Sequence, residues 1–325
     1  MKRIIYGAYG YNNLGDEAIL SSLISKFNED KLIIFSGNPH QTKKYYGYKS
    51  TKPSIKEIIK CDTIVIGGGG IFFDKIIKYF LTVGLIGIIF KKDIEVLGVG
   101  VTPLNNFINR FFLRYVLSYA NKISVRDDFS KKLLIQYGIK KEIKVVSDLA
   151  FSLKEKKLSG ELIKKLKLTN KKKIFVSAKY ILKSNKTTLN INKSILFQKN
   201  LALILDKQIN LGRDVFFMPF CTSSSKVEND LIFAKELNHF MKNKLKIINI
   251  KNPSIMKGLL KKADLLIGMR FHSLILGNNL ESNKIISLSY DPKIKSYAEK
   301  NNITCLDIGD LKFKNLENEI NHKLG

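Results

Sequence analysis

The sequence contains no tryptophan, only three cysteines, and half as many acidic residues as basic ones: 28 Asp and Glu against 56 Lys and Arg in 325 residues. Cys61, Cys221 and Cys305 are odd in number and far apart, which argues against a disulfide framework and favours a reducing compartment. Long apolar runs are also absent. The longest, residues 79–90, holds two glycines and is too short to span a bilayer. No sustained apolar run follows Met1, so no signal peptide is predicted.

The shortage of acidic residues leaves a formal net charge of +28, which favours contact with polyanions, anionic lipid headgroups or phosphorylated substrates. The excess is mostly Lys, accompanied by many Ile and Asn, and this composition is also typical of an AT-rich genome; both explanations stay open. The basic residues are scattered, without zinc spacing, an RNA signature or a basic arm, so no nucleic-acid partner is predicted. The apolar run beside Lys91 and Lys92 leaves peripheral contact with a membrane open.

Short apolar runs alternate with longer helical patterns along the whole chain. Five runs in the first half are typical of buried strands: residues 2–6, 32–35, 63–66, 94–99 and 122–125. The alternation resumes near residue 174. It predicts an α/β fold of two Rossmann-like domains, residues 1–153 and 173–325, joined by the Lys-rich connection 154–172. Ligands of such folds bind in a cleft at the carboxyl ends of the strands.

Two glycine-rich segments follow predicted strands of the first domain. Residues 7–17 predict a turn and a helix start, where backbone N–H groups of the Asn13 and Asp16 region face a ligand and Asp16 either caps the helix or contacts that ligand. The run that includes Gly69 and Gly70 predicts a loop, residues 67–70, whose amides wrap around an anion or a sugar. The glycine spacing does not match the dinucleotide fingerprint.

Isolated charged residues follow later strands. Position 126 is Arg, although most basic residues of this chain are Lys. Arg126 therefore indicates either bidentate ligand binding or a structural pair with a neighbouring Asp. Asp148 lies at the end of another predicted strand, where a catalytic acid, a sugar ligand and a hinge cap all remain open. Tyr290 and Lys293 follow a late strand and place polar groups at the same edge.

The sharpest feature is the turn that carries Arg270 and His272. A strand is predicted to end at Gly268 and a helix to begin near Phe271, so both side chains project from a strand-to-helix turn. The planar guanidinium suits a carboxylate or phosphate, and the imidazole can move a proton near neutral pH. The pair indicates a site for an anionic substrate.

With these residues in place, the chain resembles the polysaccharide pyruvyl transferase family. The resemblance is carried by an ordered set of short motifs over nearly the whole chain: Gly-x-x-Gly-Tyr-x-Asn-Leu-Gly-Asp-Glu at 7–17, the glycines 67–70, Arg126-Asp127 with Ser130, Ser147-Asp148-x-Ala-Phe, Met269-Arg270-Phe271-His272 and Tyr290-Asp291-Pro292-Lys293.

The resemblance implies a fold similar to GT-B glycosyltransferases and a transfer of pyruvate from phosphoenolpyruvate to a sugar as a cyclic ketal. No metal and no cofactor beyond this co-substrate are implied. Arg270 would bind the donor, His272 would act in acid/base transfer or phosphate binding, and Asp148 is a third catalytic candidate. The acceptor would be a cell-surface polysaccharide or its lipid-linked precursor. The expected location is the cytoplasm, with the inner membrane face left open.

One position departs from the family pattern. Lys179 stands where the family commonly has Arg early in the second domain, which keeps the charge and loses the bidentate geometry. Two alternatives remain: a GT-B glycosyltransferase that uses a nucleotide sugar, for which Glu228 and Glu236 offer acidic residues eight apart, and a non-catalytic sugar-binding envelope protein. The sequence further predicts that Arg270→Ala abolishes donor binding and leaves the fold intact.

Overall fold

A computed structural model describes residues 1–182, 190–308 and 313–325. The chain forms two compact units, Met1–Leu153 and Lys154–Gly325. The segment 154–172, expected to be a connection, lies in the second unit, where the N–H of Lys156 donates to the carbonyl of Ser254 at 2.9 Å.

Seven parallel strands form the sheet of the first unit: β1 (Lys2–Tyr6), β2 (Lys31–Phe35), β3 (Lys49–Thr51), β4 (Thr63–Phe72), β5 (Asp93–Val101), β6 (Lys122–Val125) and β7 (Lys144–Val145). Its helices are α1 (Leu14–Lys26), α2 (Pro39–Tyr46), α3 (Ile55–Ile59), α4 (Ile77–Ile89), α5 (Phe107–Tyr119) and α6 (Asp128–Gln136). The strand order is β3-β2-β1-β4-β5-β6-β7. Helices cover both faces, which is why the central strands are continuous apolar runs.

The glycine run in β4 corrects one prediction. Residues 67–70 do not form a loop, because β4 continues through them to Phe72 while it pairs with β5, with Gly67 opposite Leu97 and Gly69 opposite Val99. Gly68 and Gly69 have φ angles of 66° and 79°, and the register shifts between Gly69 and Phe72. The glycines therefore make an irregular strand that still satisfies backbone hydrogen bonds.

Six parallel strands form the sheet in the described part of the second unit: β8 (Lys173–Ser177), β9 (Asp214–Phe217), β10 (Lys246–Ile247), β11 (Leu265–Gly268), β12 (Ile285–Ser289) and β13 (Thr304–Asp307). The helices described there are α7 (Gly160–Lys165), α8 (Ile191–Asn210), α9 (Asp230–His239), α10 (Pro253–Leu260), α11 (Phe271–Leu276), α12 (Pro292–Lys300) and α13 (Phe313–Leu324). The strand order is β10-β9-β8-β11-β12-β13.

Each sheet reverses its order of winding beside its first strand. In the first unit β1 lies between β2 and β4, and in the second β8 lies between β9 and β11. Crevices at the carboxyl ends of such strand pairs are the usual ligand positions of doubly wound folds. The α/β class with two Rossmann-like parallel sheets, predicted from the alternating pattern, is confirmed.

Hydrophobic cores lie on the faces of both sheets. One core cluster of the first unit includes Ile64 and Ile66 of β4 and Val116 of α5, and one of the second includes Val176 of β8 and Ile267 of β11. Over the described ranges, no helix has both the length and the hydrophobicity that crossing a membrane requires.

Candidate functional site

Two cations lie at the winding reversal of the second sheet. Lys179 follows β8 by two residues and Arg270 follows β11 by two residues, and these strands are neighbours, with Ser177 opposite Gly268. Parallel neighbouring strands bring their carboxyl ends to one edge. The two predicted donor-binding residues are therefore close together, although 91 positions separate them in the sequence.

Arg270 is clamped by two carboxylates. Its Nη2 donates to Asp230 Oδ1 at 2.6 Å and its Nε to the same carboxylate at 3.1 Å, while Nη1 donates to Glu228 Oε2 at 2.7 Å. Asp230 is fully buried and also accepts the N–H groups of Phe220 and Cys221 at 2.9 Å. Burial disfavours the charged guanidinium, but Asp230 and Glu228 outweigh it and raise the pKa of Arg270.

Glu228 bridges the two cations. Lys179 Nζ donates to both oxygens of Glu228 at 3.0 Å, in addition to the bond from Arg270. Burial and the adjacent Arg270 charge lower the pKa of Lys179, and Glu228 opposes them. Burial by itself would raise the pKa of Glu228, but Arg270 and Lys179 hold it below its usual value. Glu228 therefore links Lys179 and Arg270 into one hydrogen-bonded cluster.

Tyr290 completes the cluster from β12. Its ring centroid lies 5.3 Å from Lys179 Nζ, within the range of a cation–π contact. Asp291, the next residue, caps α12 by accepting the N–H of Lys293 at 3.0 Å. The Tyr-Asp-Pro-Lys motif thus combines a helix start with one aromatic contact to the cation pair.

His272 and Lys293 meet through an aromatic side chain. The Phe271 ring lies 5.6 Å from the imidazole of His272, between centroids, and Lys293 Nζ lies 3.4 Å from the Phe271 centroid. His272 belongs to the first turn of α11, whose N-cap is Arg270. The turn predicted to present Arg270 and His272 from one strand end is present, with Ser273 Oγ donating to the Arg270 carbonyl at 2.6 Å.

In the first unit, the helix cap in the opening motif is not the residue that the sequence predicted. Asn13, not Asp16, is the N-cap of α1, since its Oδ1 accepts the N–H of Gly15 at 3.1 Å. Glu17 is buried and accepts the N–H of Gly10 at 2.8 Å and the hydroxyl of Tyr46 at 3.0 Å. Burial raises the pKa of Glu17 against these hydrogen bonds. The motif therefore uses two of its polar residues to hold its own backbone.

Asp16 instead lies beside the glycine run. A Cβ atom at Gly69 would lie 2.9 Å from Asp16 Oδ1. On the next residue, a Cβ at Gly70 would lie 3.1 Å from Arg126 Nη2. The run thus provides a side-chain-free strip of backbone between a carboxylate and a guanidinium.

Arg126 reaches that strip across β5. A Cβ at Gly100 would overlap its guanidinium, so this approach requires glycine. Its Nε lies 3.4 Å from Asp127 Oδ2, and Nη1 lies 3.8 Å from Asp148 Oδ2. Asp148 is buried and accepts the N–H of Ala150 at 3.1 Å, which caps the short 3-10 helix Leu149–Ser152. The structural Arg–Asp pair and the cap, both considered from the sequence, are present.

Sequence reasoning missed Asp230 and gave Glu228 no weight beyond its spacing to Glu236. Glu236 pairs with Lys226 at 3.5 Å and not with Arg270. The sequence did contain one signal, an Asn-Asp pair at the start of a helical pattern. Asn229 is the N-cap of α9, and Asp230 instead accepts hydrogen bonds from Arg270. In the residues that the structure describes, no group of three or more His, Cys, Asp or Glu side chains could hold a metal.

The family model of polysaccharide pyruvyl transferases matches residues 13–277. The chain belongs to this family. The match extends from Asn13 past His272 and so contains every candidate residue except Tyr290 and Lys293. Membership of this family implies that the chain is a transferase. A search of curated proteins finds no match.

Solved structures with similar folds come from sugar-nucleotide enzymes of the GT-B type. S. aureus MnaA, solved with UDP, has a TM-score of 0.63 at 13% identity and covers 100% of this chain and 90% of its own. The UDP-GlcNAc 2-epimerase of Methanocaldococcus jannaschii has a TM-score of 0.62 at 16% identity, with 100% and 93% covered. A glycosyltransferase of Rickettsia africae reaches 0.59 at 13%, with 99% and 88% covered. At these identities the similarity concerns the fold.

Proposed function

We propose that this polysaccharide pyruvyl transferase family member transfers the pyruvyl group of phosphoenolpyruvate to two hydroxyl groups of a sugar, forming a cyclic ketal and releasing phosphate. The observation that carries the proposal is the pair of cations, Lys179 and Arg270, that converges on one carboxylate at the winding reversal of the second sheet. Phosphoenolpyruvate carries a carboxylate and a phosphate, and both groups require fixed cations.

The carboxylate of Glu228 marks where an anionic group of the donor would bind. It accepts from Lys179 Nζ at 3.0 Å and from Arg270 Nη1 at 2.7 Å, and its side chain is about one-third exposed. A donor carboxylate or phosphate of similar geometry would replace it on both cations. Lys179 would provide a point charge for the donor, and Arg270, held by Asp230, would provide hydrogen bonds of fixed direction.

The reaction requires one proton at the methylene carbon of the donor, and His272 is the proposed carrier. Protonation gives a cationic C2, which the two sugar oxygens attack in turn as the C2–phosphate bond breaks. The C=C π bond, the C2–O bond to phosphate and two sugar O–H bonds break, while one C–H bond, two C2–O bonds to the sugar and one O–H bond on phosphate form. One proton ends on the methyl carbon and the other leaves with phosphate.

The first unit is proposed to bind the sugar. Asn13 and Asp16 lie at the start of α1, and the glycine strip is flanked by Asp16 and Arg126. The backbone at Gly70 is exposed and lets a sugar ring approach, and carboxylates accept hydrogen bonds from its hydroxyls. Asp148, which lies near Arg126, is the proposed second acid/base group. A cell-surface polysaccharide or its lipid-linked precursor is the proposed acceptor, in the cytoplasm.

A nucleotide-sugar transferase is the second candidate. It is favoured by the similarity in fold to proteins solved with UDP, including S. aureus MnaA and Anabaena HepE, the latter with a TM-score of 0.56 at 11% identity over 99% of this chain and 89% of its own. If the protein were a nucleotide-sugar transferase, Glu228 would contact the donor directly and would not be displaced by it.

The two candidates differ in the product released. With a panel of acceptor sugars, we expect phosphate from phosphoenolpyruvate and no UDP from nucleotide sugars, measured by coupled phosphate and UDP assays. His272→Asn should lower the phosphate rate by about 10²–10⁴-fold, the usual share of general acid/base catalysis. His239→Asn, at an exposed histidine of α9, is the matched control and should leave the rate unchanged.

UDP release in the absence of phosphate release would reject pyruvyl transfer. Full activity of the His272→Asn protein would reject only the proposed proton carrier. Arg270→Ala is a poor probe of donor binding, because it would leave the buried Asp230 without its cation. Lys179→Met, which leaves the Arg270–Asp230 pair in place, is the better test of the anion site.

A further inference from the structure

Helix α5 presents an aromatic face to solvent. Phe107, Phe111 and Tyr119 are 71%, 62% and 52% exposed. The same face carries Ile108, Phe112 and Tyr115, all exposed, and neighbouring rings touch: Phe111 with Phe112, and Tyr115 with Tyr119. Single exposed apolar side chains are ordinary, but a continuous set on one helix indicates a contact surface.

The core does not need these aromatic residues. Leu113, Val116 and Leu117, on the opposite side of α5, are fully buried and join the core of the first unit. A Cβ at Gly84 of α4 would lie 2.7 Å from Val116 Cγ1, so glycine lets α5 pack closely on α4. Helix α5 therefore packs on the core through its buried apolar side, and its exposed aromatic side takes no part in that packing.

Helix α4 adds exposed apolar residues beside α5. Tyr79 is 56% exposed near its start, and Ile89 and Phe90 are 73% and 39% exposed at its end. The two helices pack on one core cluster and contact each other through Gly84 and Val116. The exposed apolar surface of this unit thus continues from α5 onto α4.

The charges on these helices have one sign. Neither α4 nor α5 contains Asp or Glu, whereas Arg110 and Arg114 lie on α5 and Lys78 on α4, with Lys91 and Lys92 directly after it. The adjacent Asp74 is directed at the N–H groups of Asn105 and Asn106 and at the Asn109 amide. The surface is therefore aromatic and basic.

We infer that the exposed faces of α5 and α4 bind a membrane surface that contains anionic lipids. Aromatic side chains favour the headgroup region of a bilayer, and Lys or Arg near the surface gains from anionic headgroups. A second copy of the chain fits less well, because two such faces would bring like charges together. This surface lies on the outside of the first unit's helices and does not depend on the proposed reaction.

Vesicle sedimentation with the full chain tests the inference. The wild-type protein should sediment with vesicles of phosphatidylcholine and phosphatidylglycerol, bind pure phosphatidylcholine more weakly, and lose binding as salt increases. The double variant Phe111→Ser/Tyr115→Ser should bind the anionic vesicles about tenfold more weakly. Arg114→Glu, which keeps the aromatic residues, should weaken binding to anionic vesicles only.

Helix α8 of the second unit offers a matched control. Leu196 and Leu203 are 60% and 58% exposed there, so Leu196→Ser/Leu203→Ser removes a similar exposed apolar area and should leave vesicle binding unchanged. Equal binding by the α5 variant and the wild type would overturn the inference. So would a wild-type dimer that binds no vesicles and becomes monomeric with Phe111→Ser/Tyr115→Ser, because the occupant would then be a second copy.

Discussion

Arg270 is held in place by hydrogen bonds to two acidic residues, Asp230 and Glu228. Four of its hydrogen bonds go to Asp230 and Glu228 side chains and a fifth goes to the Glu228 carbonyl at 2.8 Å. Its neighbour Asp230 has no exposed surface. Removal of one partner of a buried ion pair leaves the other charge uncompensated, so this residue affects the fold as well as the site.

Arg270→Ala should therefore destabilise the protein by about 3–5 kcal/mol, in contrast to the intact fold that the sequence predicts. Thermal unfolding followed by circular dichroism measures the effect. Lys226→Ala is the control, because the Lys226–Glu236 pair is largely exposed and should be worth less than about 1 kcal/mol. Equal unfolding temperatures for the wild type and the Arg270 variant would contradict the structural role.

Glu228→Gln separates the two candidate functions. If the donor displaces this carboxylate, loss of its charge should strengthen binding of phosphoenolpyruvate by about fivefold, the equivalent of about 1 kcal/mol. If Glu228 binds a nucleotide sugar directly, the substitution should weaken UDP-sugar binding instead. Calorimetry with both ligands measures the difference, and Glu236→Gln, eight residues away, should change neither affinity.

Strands and helices show what a sequence pattern can and cannot place. Strands β1 and β6 match the predicted ranges, because continuous apolar runs are local signals. The end of β4 was missed. Four glycines favour a loop by local preference, but pairing with β5 keeps them in the sheet as an irregular strand. That pairing is a tertiary effect absent from the local sequence.

The glycine of this strand that tolerates substitution least is Gly68. Its φ is positive, and a Cβ there would overlap Cγ2 of Ile19 in α1. Gly68→Ala should cost about 2–4 kcal/mol from backbone strain and overpacking together. Gly212→Ala is the control: its φ is +80° and no atom lies within 4 Å of its Cβ position, so it should cost about 1 kcal/mol. Similar losses of thermal stability in both proteins would show that the Ile19 contact is unimportant.

At the scale of the whole molecule, the sequence predicted the class of fold and several strand ends near which candidate residues lie. Arg270 was placed at a strand end from a local pattern and Lys179 early in the second domain from the family resemblance, and the parallel sheet then brings them together. Asp230 could not be placed in the same way. It precedes Arg270 by 40 positions and meets it only because α9 begins beside β11's end, and such a contact depends on packing that no local pattern encodes.

The ion cluster has a consequence for how the large net charge acts. Lys179 and Arg270 are balanced by Glu228 and Asp230, so these four residues contribute nothing to the formal charge of +28. The long-range field that draws anions arises from the remaining surface, mostly Lys. Such a field governs the rate of encounter and is screened by salt. Salt should therefore slow the arrival of an anionic substrate far more than it speeds its departure.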